Sequence, residues 1–461
     1  MSELGLLISI LASSCAGSVL GFATGLVPGL HVNNIAAATV AYAGAFLAFF
    51  ALVGGIVGSD ETGIMVSCFL VSSLVSHSFS EAVPNTYVGI PSGDAVTVLP
   101  AHRLARAGLG WAAVKASMDG SLAGVLLGVI ALVPVSVVLG PSLNLYASIR
   151  SVMGYLILLL SAALVLSDGL AVPVIRHRVF AKVRRTSKVL AVFSAAGVLG
   201  LVVLDTNYFA CSMPGCESQF VPKSSLLLPM FAGLFGLPTL LLSVFGARAR
   251  DAALSCACKV RSSDRAWSTT VSLLGGVLVG WIPGFTSGSS ATLCSTAMRH
   301  PAEDASDVDG SRRFIWLYSA ISTAGAVLSV GALFTILRSR SGVMDAVSRF
   351  LSPEPIGAGV SELLAPASML LSMVLSALLS YAAMVRMRGR LRSIARLLDS
   401  RRLVASAAVF VCVLVIVLTG VRGAFLLATA CSLGLVPPLL GVRRIHLMGC
   451  LLVPISLMFI S

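Results

Sequence analysis

The chain alternates long apolar runs with short polar or basic stretches. Runs that span a bilayer, or nearly so, occupy 39–58, 62–80, 120–138, 151–167, 189–204, 224–247, 314–337, 363–385, 403–421, 423–442 and 445–461, since about 20 apolar residues in helix cross a hydrocarbon core about 30 Å thick. The first uncharged stretch, Leu4 to Ser59, is 56 residues long and would reach about 84 Å as one helix. It therefore crosses or re-enters more than once. The pattern predicts an all-α polytopic membrane protein.

Composition agrees. Of 461 residues, 57% are hydrophobic and 11% charged, whereas soluble domains carry roughly 25% charged residues. A soluble enzyme or nucleic-acid binder is excluded. The net charge of +13 is concentrated: eighteen of the 32 basic residues lie in 174–188, 248–265 and 386–402. Each stretch is a short loop between apolar runs, so the positive-inside rule makes all three cytoplasmic anchors of a multi-pass cell-membrane protein.

With these loops inside, parity fixes much of the topology. The runs 189–204 and 224–247 go out and return. The 33 residues 266–298 give about 50 Å of helix, too short for two crossings, yet Arg299, Arg312 and Arg313 must also lie inside. A re-entrant hairpin over 266–298 satisfies both demands. Its tip falls at Gly276-x3-Gly280-x2-Pro283-Gly284, and the same pattern, Gly21-x3-Gly25-x2-Pro28-Gly29, occurs 255 residues earlier. One small-xxx-small match signals only close helix packing; two copies ending in the same Pro-Gly break suggest duplication.

The predicted organisation is two inverted-topology repeats, 1–173 and 266–461, each opening with a re-entrant or broken helix hairpin, joined by a linking helical hairpin at 174–265. In this reading 4–38 enters from outside, 39–58 runs inward, 62–80 outward and 84–101 inward, and Asp60 and Glu61 form a cytoplasmic turn. Inverted repeats are common in secondary transporters, whose sites lie where discontinuous helices meet.

The breaks leave backbone polar groups to be met, and helix N-termini emerging from them attract anions. Residues expected at the substrate site are Gly25, Pro28, Gly29, His31, Asn33 and Asn34 at the first tip, with Gly280, Pro283, Gly284, Thr286, Ser287, Ser289 and Ser290 at the second. The same side chains also suit plain capping of the broken helices. A third polar stretch, Glu81 to Arg103, holds three prolines, Pro84, Pro91 and Pro100, and cannot be a regular spanning helix. Its carboxylates, Glu81 and Asp94, are expected to bind a coupling cation, H⁺ or Na⁺, because an intramembrane carboxylate is costly without a purpose. His77 reads as a packed histidine.

Other chemistries fail on motif grounds. The chain has no Gly-Lys-Ser/Thr nucleotide loop, no H-E-x-x-H and no ordered nucleophile elbow, so neither an enzyme nor a cofactor is expected. Most of the ten cysteines sit in apolar runs as small hydrophobes. Cys211 and Cys216 fall in a stretch placed outside, where a disulfide is permitted, and Cys256 and Cys258 lack the partners of a zinc site. The first basic residue is Arg103, unlike the basic start of a signal peptide, so the first segment is read as part of the mature protein.

The paired glycine and Pro-Gly segments, the stretch from Gly89-Ile-Pro91 through Pro100-Ala-His102-Arg103 to Gly108, and Arg340-Ser341-Gly342 together resemble the large membrane subunit of tripartite tricarboxylate transporters, the TctA family, and within it a stand-alone archaeal branch. The resemblance covers most of the chain, least well 170–265. It implies an ion-driven carrier of di- or tricarboxylates, and in bacterial members a small membrane subunit and an extracytoplasmic binding protein as partners. Bacterial relatives follow Pro-Gly with Gly-Pro, whereas this chain has Leu30-His31 and Phe285-Thr286. The repeats are also similar to those of membrane proteins that recycle polyprenyl phosphate, so a lipid-linked anion is the alternative substrate. A scaffold without transport is the third reading.

Overall fold

The computed structural model describes residues 3–27, 30, 32–54, 59–89, 98–170, 178–205, 226–245, 262–298, 308–351, 353–354, 360–391, 393–394 and 401–460. Among these residues every regular element is helical. The first half contains α1 (Glu3–Gly25), α2 (Val32–Ala41), α3 (Ala43–Gly54), α4 (Ser59–Ser80), a π-helical turn at Pro84–Val88, α5 (Val98–Leu104), α6 (Gly110–Leu139), α7 (Leu145–Arg150) and α8 (Met153–Leu170). The linker supplies α9 (Arg178–Asp205), α10 (Leu227–Phe231) and α11 (Leu237–Phe245). The second half contains α12 (Ser262–Trp281), α13 (Ser287–Ala297), α14 (Val308–Thr335), α15 (Gly342–Phe350), α16 (Val360–Met387), α17 (Arg401–Leu440) and α18 (Gly449–Ile460). Seven helices in the described residues are long and apolar enough to cross a membrane. Gly420, at φ 66° and ψ −162°, breaks α17 near the boundary expected between 403–421 and 423–442.

Small residues bring the helices together, as they must where lipid provides no hydrophobic drive for association. A Cβ on Gly17 or Gly21 would lie 2.2 Å from the carbonyl oxygen of Phe69 or Ser73, so α1 and α4 meet backbone to backbone. Buried serines bond across the same seam: Ser73 Oγ donates to the Gly17 carbonyl (2.9 Å) and Ser76 Oγ to that of Ser18 (2.7 Å). On another face of α4, Ser376 Oγ donates to the Ser72 carbonyl (2.7 Å) and Ser380 Oγ to Ser76 Oγ (2.8 Å). In α6, Gly120 and Gly124 dock on the carbonyls of Trp316 and Ala320 in α14, and Thr323 Oγ1 donates to the Ser121 carbonyl at 2.8 Å.

These pairs rise together in both partners, so α1, α4 and α16 run parallel to one another, and α6 runs parallel to α14. This corrects one expectation. With the basic loops inside, α16 runs inward because it ends at Arg386, and α4 must run inward with it, not outward. The described part of the predicted span 39–58 holds the end of α2 and α3, bent by 88° at Tyr42. This stretch is not one straight helix. With the basic loops inside, the described residues 81–89 and 98–109 fall at the inner face, and Asp60 and Glu61, which begin α4, at the outer one.

The packing cores cut across the sequence halves. One cluster joins α1, α4, α6, α14 and α16 around Phe69, Met118 and Leu328. A second joins α8, α9, the end of α17 and α18 around Ile157, Val192 and Cys450.

Candidate functional site

At the second break the chain turns through Pro283 and Gly284, which has φ +75°, a conformation that favours glycine. The arm then folds back beside α12: Ser290 Oγ donates to the Gly275 carbonyl at 2.9 Å. Thr286 is the N-cap of α13 and accepts from the Ser289 N–H at 3.3 Å, while Ser287 opens the helix. Of the predicted hydroxyls Thr286 thus serves as a cap, and Ser289 and Ser290 are fully enclosed. Gly280 permits the contact of α12 with Leu328 of α14. Trp281, just before the turn, is buried with an indole N–H that has no partner among the described residues.

At the first break, Gly25 ends α1 against α4, where a Cβ would come within 2.1 Å of Ser80 Oγ. Thr24 Oγ1 lies 3.3 Å from His77 Nδ1, and His77 Nε2 lies 3.7 Å from Glu81 Oε2. His77 is thus buried as expected, and it also links this tip to a predicted cation-site carboxylate. Asn33, in the first turn of α2, faces Gly342 of α15. Pro28, Gly29, His31 and Asp94 lie outside the described residues, as do the side chain of Asn34, Cys211 and Cys216.

The third polar stretch is interrupted as expected. After Glu81 the helix widens into the π turn and stops at Gly89, whose φ is 74°. His102 Nδ1 donates to the Thr86 carbonyl at 3.1 Å, folding α5 back on the turn. Here Glu81, Asn85, Thr86, Ser117, Tyr318 and Ser319 line a cavity of about 20 Å³, room for one water or one bare monovalent cation. Ser117 and Ser319 are bonded at 2.9 Å, while the buried Asn85 Oδ1 has no partner among the described residues. Sequence reading singled out the stretch with Glu81, Asn85 and Thr86 but not Ser117, Tyr318 and Ser319, which come from two distant helices.

A basic group that it used only for the family resemblance, and not as a site residue, is Arg340. Its guanidinium lies 5.5 Å from the Tyr146 ring centroid and donates to the Tyr146 hydroxyl at 2.5 Å. Burial pulls it below its ordinary pKa, because desolvation disfavours the charged form. The available signal was an arginine on the face that the basic loops avoid.

These features define a class, a helical multi-pass membrane protein with broken helices that bring polar groups into its interior. The chain belongs to the tripartite tricarboxylate transporter TctA family, whose family model matches residues 11–449, as the resemblance implied. It is also similar to an uncharacterized protein of Methanocaldococcus jannaschii, 27% identical over 227 residues, which are 49% of this chain and 46% of that protein. The match thus spans about half the length of that relative. No solved structure matches the chain.

Proposed function

We propose that the protein is a secondary carrier of a small organic anion, a di- or tricarboxylate, that binds the anion between its two broken segments and couples its movement to H⁺ or Na⁺. The observation that carries this reading is the cavity at the end of α4, where Glu81, Asn85, Thr86, Ser117, Tyr318 and Ser319 meet the apolar Ala82, Ala101 and Ile315. It holds a carboxylate, an amide oxygen without a partner among the described residues and several hydroxyls at an interrupted helix, the kind of arrangement in which transporters bind coupling cations. Family membership supports the anion's chemical class.

Inverted repeats remain part of the proposal, with corrected pairing. Gly21 and Gly25 dock α1 on a parallel α4, as Gly276 and Gly280 dock α12 on a parallel α14. We therefore pair α4 with α14 and α6 with α16, and the α1–α3 arm with α12–α13. A small membrane subunit and an extracytoplasmic binding protein would serve as delivery partners, with the transport step itself carried out by this chain. Gradient-driven uptake of labelled acids into liposomes containing the pure protein tests the reading, and failure across the acids would withdraw it.

A further inference from the structure

We propose that the Arg340 guanidinium receives the anionic group of the substrate, a carboxylate or a phosphate, between the two broken segments. The proposal rests on the siting of the anion argued above and names the residue that binds it. The first argument is position. The Tyr146 ring on which Arg340 lies also meets Trp281, the last residue of α12, at 6.3 Å between centroids. Two residues beyond Arg340, a Cβ on Gly342 would stand 2.9 Å from Asn33 Oδ1. The stretch 340–342 thus touches the second broken segment through Tyr146 and the first directly.

Charge is the second argument. Arg185 and Arg443 each lie 3.1 Å from the Asp168 carboxylate. No carboxylate among the described residues stands within ion-pair distance of Arg340, and its Nε is buried with no hydrogen-bond partner among them. A desolvated guanidinium without a counter-charge is costly, and its planar fork matches the two oxygens of a carboxylate or phosphate. Ser341 caps the nine-residue α15 by accepting from the Met344 N–H at 3.2 Å, so a helix N-terminus adds its dipole beside the same spot.

The backbone supplies a third, independent argument. Among the described residues, the non-glycine positions with positive φ are Asn144 (51°) and Leu337 (54°). They precede Tyr146 and Arg340 by two and three residues. A bulky leucine in the left-handed region is strained, and such strain persists where the surroundings demand one geometry, often at a ligand clamp.

The test uses the full chain in liposomes treated with phenylglyoxal, an arginine reagent, with modification of Arg340 and of exposed Arg338 measured by peptide mass. Citrate, malate and a polyprenyl phosphate are added separately, against chloride of equal ionic strength. A protectant at ten times its dissociation constant should slow modification of Arg340 roughly tenfold and leave Arg338 unchanged. Protection by citrate or malate supports both the proposal and the carrier reading. Protection by polyprenyl phosphate alone supports Arg340 as the anion site but moves the function to a lipid-borne anion. Acid uptake without protection overturns the proposal and spares the carrier reading, and no protection by any of the three overturns it whether or not uptake occurs. Where uptake is seen, R340K, which keeps the charge and loses the fork, should weaken apparent affinity roughly tenfold to a hundredfold; unchanged affinity counts against the proposal.

Discussion

Asp168 accepts a hydrogen bond from His446 Nε2 at 3.0 Å, and both side chains are wholly enclosed. Arg185 and Arg443 converge on the other carboxylate oxygen, so one acidic group ties the end of α8 to the start of α9 and to the turn before α18. All three positions belong to segments that the basic loops assign to the inner face. Replacing Asp168 by Asn leaves the shape and removes the charge that two arginines share. The expected cost is about 3–5 kcal/mol, the range for breaking a buried ion pair from one side. It is read as a lower unfolding temperature of the purified protein in detergent, and an unchanged temperature would mean that the cluster is solvated.

The sequence made some features plain and hid others for physical reasons. Long apolar runs and Pro-Gly breaks are local signals, and both breaks with described geometry, Pro283-Gly284 and the stretch after Glu81, fall where composition placed them. Helix direction is not local. Two passes more or fewer, at 39–58 and 84–101, leave the parity of every basic loop unchanged, so charge alone cannot fix the direction of α4. It took the register of Ser72 with Ser376 and of Gly17 with Phe69 to turn α4 around. The cavity beside Glu81 was hidden for a similar reason: Ser117 and Ser319 are 202 residues apart and look like ordinary small residues of a helix seam.

That correction has its own test. Single cysteines at Asp60 and Asn144 are both expected to react with an impermeant thiol reagent from outside, and cysteines placed in 178–186 only from inside. Labelling of Asp60→Cys from the cytoplasmic side alone would restore the outward course of α4, against the parallel seam it makes with α16.

Gly25 and Gly284 are demanding for different reasons. The first allows α1 to touch Ser80, and the second has a φ that side chains rarely adopt and lies where a Cβ would come 2.7 Å from Ile455. Gly25→Leu and Gly284→Leu should each abolish transport while the protein still inserts, measured as uptake against membrane-fraction yield. Full activity in both would reduce the breaks to packing features.

The cavity beside Glu81 predicts a split between exchange and driven uptake. Glu81→Gln keeps the size of the side chain and removes its charge, so the differential affinity for the cation that links gradient to substrate is lost. Exchange of substrate across the membrane should persist while gradient-driven accumulation falls to the level of exchange. Asn85→Leu, which replaces the amide oxygen with an apolar group, should act in the same direction, and Asp94→Asn tests the other expected carboxylate. Normal accumulation in the Glu81 and Asn85 variants would remove the cavity from the coupling mechanism.

The carboxylate and the lipid-borne anion differ in where the apolar part of the substrate goes. A di- or tricarboxylate presents charge on several sides, so its site must supply polar contacts all round, and an exposed approach would weaken as salt screens it. A polyprenyl phosphate needs a site only for its headgroup, because the chain stays in lipid. Both would use an anion-attracting break, so tip variants cannot separate them, but the pure protein in liposomes can. Labelled citrate or malate should accumulate under an inward H⁺ or Na⁺ gradient and not in empty liposomes, with the initial rate falling as inert salt is raised. Should neither acid enter while a fluorescent polyprenyl phosphate changes leaflet only when the protein is present, the carrier's cargo is the lipid-linked anion and the carboxylate reading is wrong.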